Sequence, residues 1–225
     1  MDVLMSSESS RSHLEMASNS SRLAVVLHAD VVESTALVRR DETRAHQRIQ
    51  AAFQIFAQEI TRYGGTVREL RGDAIVADFT RASDAVLGAL AGQRANDAQN
   101  QTISDDLRPQ LRVGIAMGEV VIADQTITGS GVVLAQRIEQ LAPPGGVCVQ
   151  SAVQQTASER FPVRYSPFPP RVMKGFDDPI TASEASLAEG HDLPAPTAPG
   201  TLPERRRYRA VAAGAMLVVR VRSEE

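Results

Sequence analysis

The sequence predicts an α+β sandwich, and three observations carry that reading. A near-continuous apolar run, Leu23-Ala-Val-Val-Leu-His-Ala29, has the pattern of a central strand covered on both faces. Helical periodicity follows: Ala45, Ile49, Ala52, Phe53, Phe56, Ile60 and Tyr63 recur at spacings of three and four on one stripe. Then Thr66–Leu70 and Ala74–Phe79 flank Arg71-Gly72-Asp73, a strand–turn–strand signature in which Gly72 permits positive φ. Continued along the chain, the alternation reads β-α-β-β-α-β followed by more β and α. That is the split βαβ, ferredoxin-like (βαββαβ) order, a central, mostly antiparallel sheet flanked by helices.

Each element has its own local reason. Residues 1–21 are Ser-rich and aperiodic, which predicts a disordered leader. After Asp30, Val31-Val-Glu-Ser-Thr35 leads into the first helix, and Gly64-Gly65 supplies its stop. Ser83–Gln99 is a second helix, capped by Ser83 or Asp84. A polar loop ends at Pro109; Leu111–Met117 and Glu119–Ala123 then read as two strands broken at Gly118, a second hairpin. The loop Asp124–Gly131 feeds a helix over Val132–Leu141, which Pro143-Pro-Gly-Gly146 ends. Val147–Gln150 is a strand, Ser151–Arg160 a helix capped by Ser151, Val163–Phe168 a strand, and Met173-Lys-Gly-Phe176 lies in a loop. From Ala188 the composition turns to Pro, Ala, Thr and Gly. The division is therefore a leader (1–21), one domain (22–187), and a linker with a basic and apolar tail (188–225). The tail joins Arg205-Arg-Arg-Tyr-Arg209 to the apolar run Ala210–Val219, shorter than the roughly 20 residues a bilayer span needs. It reads as a stub, a surface-associating segment or the start of a membrane-associated segment, with weak support for membrane contact.

Composition excludes several classes. Aromatics are 4% of the 225 residues and Trp is absent, so the core is aliphatic. A net charge of −3 gives no basic field for nucleic acid. The single Cys148, inside an apolar strand, excludes an internal disulfide framework and fits a reducing compartment. With no cationic, apolar N-terminal signal, the expected location is cytoplasmic. His13, His28, His46 and His191 have no ligand spacing, and neither a P-loop nor a Rossmann fingerprint is present.

Two acids stand out. Asp30 closes the first apolar run, and Asp73 sits in the hairpin turn. If those strands are neighbours, both carboxylates project from one sheet edge, a donor pair suited to Mg²⁺ beside substrate phosphates. On spacing alone Asp73 serves equally as a turn former and Asp30 as a helix N-cap.

Ordered blocks across residues 22–182 resemble the class III adenylate/guanylate cyclase catalytic domain, of bacterial type. Ala24-Val-Val-Leu-His-Ala-Asp-Val-Val-Glu-Ser-Thr35 resembles its first metal block. Tyr63-Gly-Gly-Thr-Val67 with Arg71-Gly-Asp-Ala-Ile-Val-Ala77 resembles the second. Leu111–Val121 resembles the Arg-Ile-Gly-Ile-His-x-Gly hairpin, Gly131–Glu139 with Leu141–Gly146 the nucleotide helix and its turn, and Met173-Lys-Gly175 the Leu-Lys-Gly loop. The resemblance implies two divalent cations, Mg²⁺ or Mn²⁺, on Asp30, Asp73 and the Val31 carbonyl. It implies Arg137 as the transition-state arginine, Lys174 as a triphosphate ligand, and Glu69 and Thr126 at the base. It implies ATP or GTP as substrate and a homodimer with shared sites. One protomer would give Asp30 and Asp73, the other Glu69, Thr126, Arg137 and Lys174.

Three positions depart from the pattern. Glu69 stands where an adenine-selecting lysine is usual, and its carboxylate suits the guanine N1–H and 2-amino group. Prokaryotic members mostly use ATP, which points the other way. Val133 replaces the ribose-orienting asparagine, and Glu33 replaces a small residue in the first metal block. These departures keep a second reading open, a degenerate cyclase-like module that binds nucleotide with little or no turnover.

Overall fold

The computed structural model describes residues 20–72, 74–123, 126–157, 159 and 161–196. The leader, Asp73 and the basic tail therefore lie outside the described residues, apart from Ser20 and Ser21, which open the first strand. Strand β1 (Ser20–Val31) is followed by helices α1 (Ser34–Arg40) and α2 (Glu42–Arg62). Strands β2 (Thr66–Arg71) and β3 (Ala74–Phe79) form the expected hairpin, with Gly72 at φ 55° in its turn. Helix α3 (Ala82–Gln101), strands β4 (Leu111–Ala123) and β5 (Thr126–Thr128), helix α4 (Ser130–Glu139), β6 (Val147–Gln150), α5 (Ser151–Thr156), β7 (Val163–Pro167) and β8 (Ala182–Leu187) complete the order.

The sheet runs β2-β3-β1-β4-β6-β8-β7, with β5 paired to β4. Its first four strands are antiparallel and carry the ferredoxin-like order; β4 and β6 are parallel. Side-chain alternation in β1 divides the interior. Val25, Leu27, Ala29 and Val31 face the larger core with Ile49, Phe53, Phe56 and Ile60 of α2 and Val86 and Leu87 of α3. Ala24 and Val26 join the second core with Leu134, Ala135 and Ile138 of α4.

Local chemistry explains the boundaries. Asp41 caps α2, its carboxylate accepting from the Arg44 N–H at 3.0 Å. Gly64 adopts φ 80° after the helix, and a Cβ on Gly65 would meet the Phe79 ring at 2.5 Å. Asp30 is not a helix cap: α1 begins later, with Glu33 at its N-cap.

Several expected boundaries are corrected. Leu111–Ala123 is one continuous strand, and the hairpin partner of β4 is β5. Gly118 does not turn the chain. It lets the backbone of Gly131 come within 2.7 Å of where its Cβ would be, so the residue serves close packing of α4 on β4. Neither Ser83 nor Asp84 caps α3, whose N-cap is Arg81, and α5 ends at Thr156 with Gln150 as its N-cap. Strand β8 was not anticipated, because Ala182-Ser-Glu-Ala-Ser-Leu187 holds no β-branched or aromatic residue. Pairing with β6 and β7 on its two sides makes it a strand.

Residues 188–196 have no regular structure but lie on the domain. Tyr63 donates to the Pro194 carbonyl at 2.8 Å, and Leu193 packs against the larger core. Among the described residues, no helix is long and apolar enough to cross a membrane.

Candidate active site

The α4 face of the sheet gathers most of the sequence-predicted residues, as separate pairs. Asp30 lies at the end of β1, opposite Ala74 of β3 on one side and Arg112 of β4 on the other. Arg112 Nη2 donates to Asp30 Oδ2 at 3.2 Å. The Asp30 side chain is 24% exposed, whereas Ala29 and Val31 are buried. It is thus a hard-oxygen donor open to solvent on a rigid strand end. Asp30 pairs with Ala74, the first residue of β3, and Asp73 itself lies outside the described residues.

A register shift lies between Val67 and Glu69 in the β2–β3 ladder; Glu69 pairs with Val76 of β3, and its side chain reaches β5. Its carboxylate accepts from the Ile127 N–H at 3.4 Å. The adjacent Thr126 hydroxyl donates to the Ala123 carbonyl at 2.6 Å. These two residues, predicted at the base, are therefore neighbours.

Arg137, on α4, donates through Nε to the Lys174 carbonyl at 3.3 Å and through Nη1 to Gln140 Oε1 at 3.5 Å. Met173 is buried in the second core and anchors the loop, Gly175 turns it at φ 92°, and Lys174 is left exposed. The helix position follows from glycine: a Cβ at Gly114 would sit 2.2 Å from the Ala135 carbonyl and from the Glu139 nitrogen. Val133 is 42% exposed on the same helix. Glu33 takes φ 51°, the left-handed conformation glycine provides, and its side chain is exposed.

Sequence reasoning missed three buried or half-buried polar residues that meet beneath α4. His28, Glu139 and Arg112 meet between β1, β4 and α4: Arg112 Nε lies 3.0 Å from Glu139 Oε1, and His28 Nδ1 3.5 Å from Glu139 Oε2. The available signal was polarity inside apolar periodicity, a His and an Arg in strands and a Glu in an aliphatic helix turn. Nearby, Asp78 is buried between Arg22 and Arg68, both of which donate to it. Cys148 is buried, and desolvation pushes its thiol up to about 12, so it is a packing residue. Among the described residues, no three His, Cys, Asp or Glu side chains are close enough together to hold a metal ion.

Comparison with known proteins gives this arrangement its class. The adenylate/guanylate cyclase/hydrolase of Silicibacter pomeroyi superposes with a TM-score of 0.68 and 28% identity, covering 75% of this chain and 98% of that one. The guanylyl cyclase Cya2 superposes with a TM-score of 0.65 and shares the fold at 23% identity, over 79% and 98% of the two chains. In sequence, the putative adenylate cyclase 3 of Rhizobium meliloti is 31% identical over 160 residues, 71% of this chain and 27% of the relative. The adenylate cyclase of Streptomyces griseus is 33% identical over 129 residues, 56% of this chain and 31% of its own length. The chain thus spans less than a third of these two relatives. No protein-family model matches it.

Fold and sequence together define an α+β domain of the nucleotide-cyclase architecture. In fold and in sequence the chain is similar to adenylate and guanylate cyclase domains of class III.

Proposed function

We propose that the domain converts ATP or GTP to the 3′,5′-cyclic nucleotide and pyrophosphate at the interface of a homodimer. The observation that carries this reading is the separation of the polar groups within one chain. Arg137 and the Lys174 loop form one unit, Glu69 and Thr126 another, and Asp30 stands on a third strand end. A partner protomer would bring the missing half to each site. Asp30, the Val31 carbonyl and Asp73 fit divalent cations by the chemistry of their oxygen donors. When bound, such cations would neutralise charge on the attacking and leaving oxygens.

The side chains of this domain supply positioning and electrostatics, which is most of what phosphoryl transfer asks of a protein. The ribose 3′-oxygen forms a bond to the α-phosphorus as the bond to the β-bridging oxygen breaks, releasing pyrophosphate. Arg137 presents a planar fork to the equatorial oxygens, where negative charge accumulates. Lys174 carries a compact charge for the departing phosphates. Glu69 accepts from the guanine edge and meets a lone pair at adenine N1, which supports GTP; the two relatives above are named adenylate cyclases, which supports ATP.

The test incubates the chain with equal ATP and GTP and Mn²⁺ or Mg²⁺, reading products by mass spectrometry beside Asp30→Asn. A cyclic nucleotide absent from the variant supports the proposal, and no product from folded protein overturns it. Glu69→Lys is expected to shift the product ratio toward cyclic AMP by about tenfold or more. One observation favours a second reading. Val133 offers no hydrogen bond at the ribose position, which suits a nucleotide-binding module with little turnover. That reading expects a raised melting temperature with nucleotide and no product.

A further inference from the structure

A cavity of about 330 Å³ lies between the second half of α3, Gln110 and the Pro144-Gly145 turn that precedes β6. None of the proposed nucleotide-site residues lines it. Its volume is at the lower end of what small-molecule sites occupy, roughly 300–1,000 Å³. Gln93, Asn96 and Asn100 form its α3 wall, at 9%, 4% and 8% exposure. Gln93 Nε2 donates to the Leu111 carbonyl at 2.8 Å and to the Gly146 carbonyl at 2.9 Å. Asn96 Nδ2 and Asn100 Nδ2 both donate to the Pro109 carbonyl, at 2.9 and 2.8 Å.

A carboxamide has two N–H donors and one carbonyl oxygen, which only accepts. Gln93 has committed both donors, so its oxygen is what it offers a ligand. Among the described residues no hydrogen bond reaches Gln93 Oε1, Asn96 Oδ1 or Asn100 Oδ1, yet none of these oxygens is shut away from solvent. The wall is therefore a set of three acceptors, each held in place by its own amide nitrogen. Asp97, exposed at the rim, adds a carboxylate whose Oδ2 accepts from Gln101 Nε2 at 3.0 Å. It is four residues from Gln93 and three from Asn100, the spacing of one helix face. Arg94 also stands at the rim, with Asp192 of the 188–196 stretch 3.3 Å from its Nη1. Two acids against one arginine leave this rim net negative.

We propose that the cavity binds a small organic cation rich in N–H donors, of the guanidinium or primary-amine class, apart from the nucleotide site. An ammonium brings three donors and a guanidinium five, and neither accepts a hydrogen bond. Those donors meet the three carboxamide oxygens, while the positive charge meets Asp97. An apolar occupant would instead strip water from acceptors it cannot satisfy. A cation seated here touches both α3 and the turn that follows α4, so it stabilises the folded domain in proportion to its occupancy.

The test titrates the full chain with agmatine, which carries a guanidinium and a primary ammonium, beside hexamethonium, a dication without N–H groups. Agmatine is expected to bind with a dissociation constant on the order of 1 mM or tighter by calorimetry and to raise the melting temperature. It is also expected to shift the side-chain amide ¹⁵N resonances of Gln93, Asn96 and Asn100. Asp97→Asn is expected to weaken binding about tenfold at an unchanged melting temperature of the free protein. Arg94→Gln is expected to leave affinity unchanged or raise it, because a repelling charge is gone. No binding at roughly ten times the expected constant overturns the inference. So does hexamethonium binding as well as agmatine, since attraction would then be Coulombic alone. Binding that leaves the three amide resonances unmoved places the cation elsewhere and overturns it too. Weakening by Arg94→Gln would show a site for a negatively charged group and likewise contradict it.

Discussion

At Glu33 the backbone keeps a glycine-like conformation around a residue that does not favour it. Its φ of 51° is the one positive value at a non-glycine among the described residues, and its carbonyl accepts from the Ala36 and Leu37 N–H groups to start α1. Left-handed geometry costs an L-residue about 1–2 kcal/mol. Glu33→Gly is expected to raise the melting temperature by roughly 2–4 °C, the shift about 1 kcal/mol gives in a domain of this size. It also removes a carboxylate from the loop after Asp30, so kcat/KM for the nucleoside triphosphate is expected to rise; calorimetry and initial-rate kinetics check the two effects. Cys148 offers a second residue-scale test. With its thiol pushed up to about 12 by burial, alkylation at pH 8 is expected to be slow in the native protein and fast in denaturant. The departures at Glu33, Glu69 and Val133 were legible because they sit inside recognisable blocks. The Arg112–Glu139–His28 contact was not, because residues 28, 112 and 139 converge only after β1, β4 and α4 pack.

Between elements, glycines decide how close α4 comes to the sheet. Gly114 faces the Ala135 carbonyl and the Glu139 nitrogen, and Gly118 faces Gly131, at distances that leave no room for a side chain. Gly114→Val is expected to cost about 3 kcal/mol in denaturant unfolding. It is also expected to abolish turnover, since the displaced helix carries Arg137. On the other side of the domain, Arg48 ties α2 to the 102–109 loop by donating to Asp105 and to the Leu107 carbonyl. The Arg48 hydrogen bond, then the Leu107 N–H, hold the Asp105 carboxyl well below the usual carboxylate range. A folded-state value below the unfolded one means this stability is present above about pH 4 and lost as pH falls through the folded value. Arg48→Met is therefore expected to flatten the acid limb of a stability profile between roughly pH 4 and 2, read by thermal unfolding. Element types were largely legible from periodicity and turns. The exceptions have a common cause: Gly118 looked like a break but serves interlayer contact, and β8 lacks strand-type residues but is held by pairing on both sides.

For the molecule as a whole, the sheet order and the placement of helices follow from the β-α-β-β-α-β pattern visible in the sequence. What local pattern does not reveal is which residues end up beside one another. Residues 188–196 read as linker, yet Tyr63 and Leu193 hold this stretch on the domain through contacts from distant parts of the chain. The proposed site residues likewise fall into separate units within one chain, Asp30 on β1 and Arg137 and Lys174 joined through α4 and its neighbouring loop, and the shared-site proposal rests on that separation. The direct measurement is complementation between two inactive chains, Asp30→Asn and Arg137→Ala, mixed after unfolding and refolding together and assayed for cyclic nucleotide. Each alone is expected to be silent. Their equal mixture is expected to recover about a quarter of wild-type activity, from one intact site in half of the dimers. A mixture as silent as its components, beside an active wild type refolded in the same way, would contradict the shared-site cyclase.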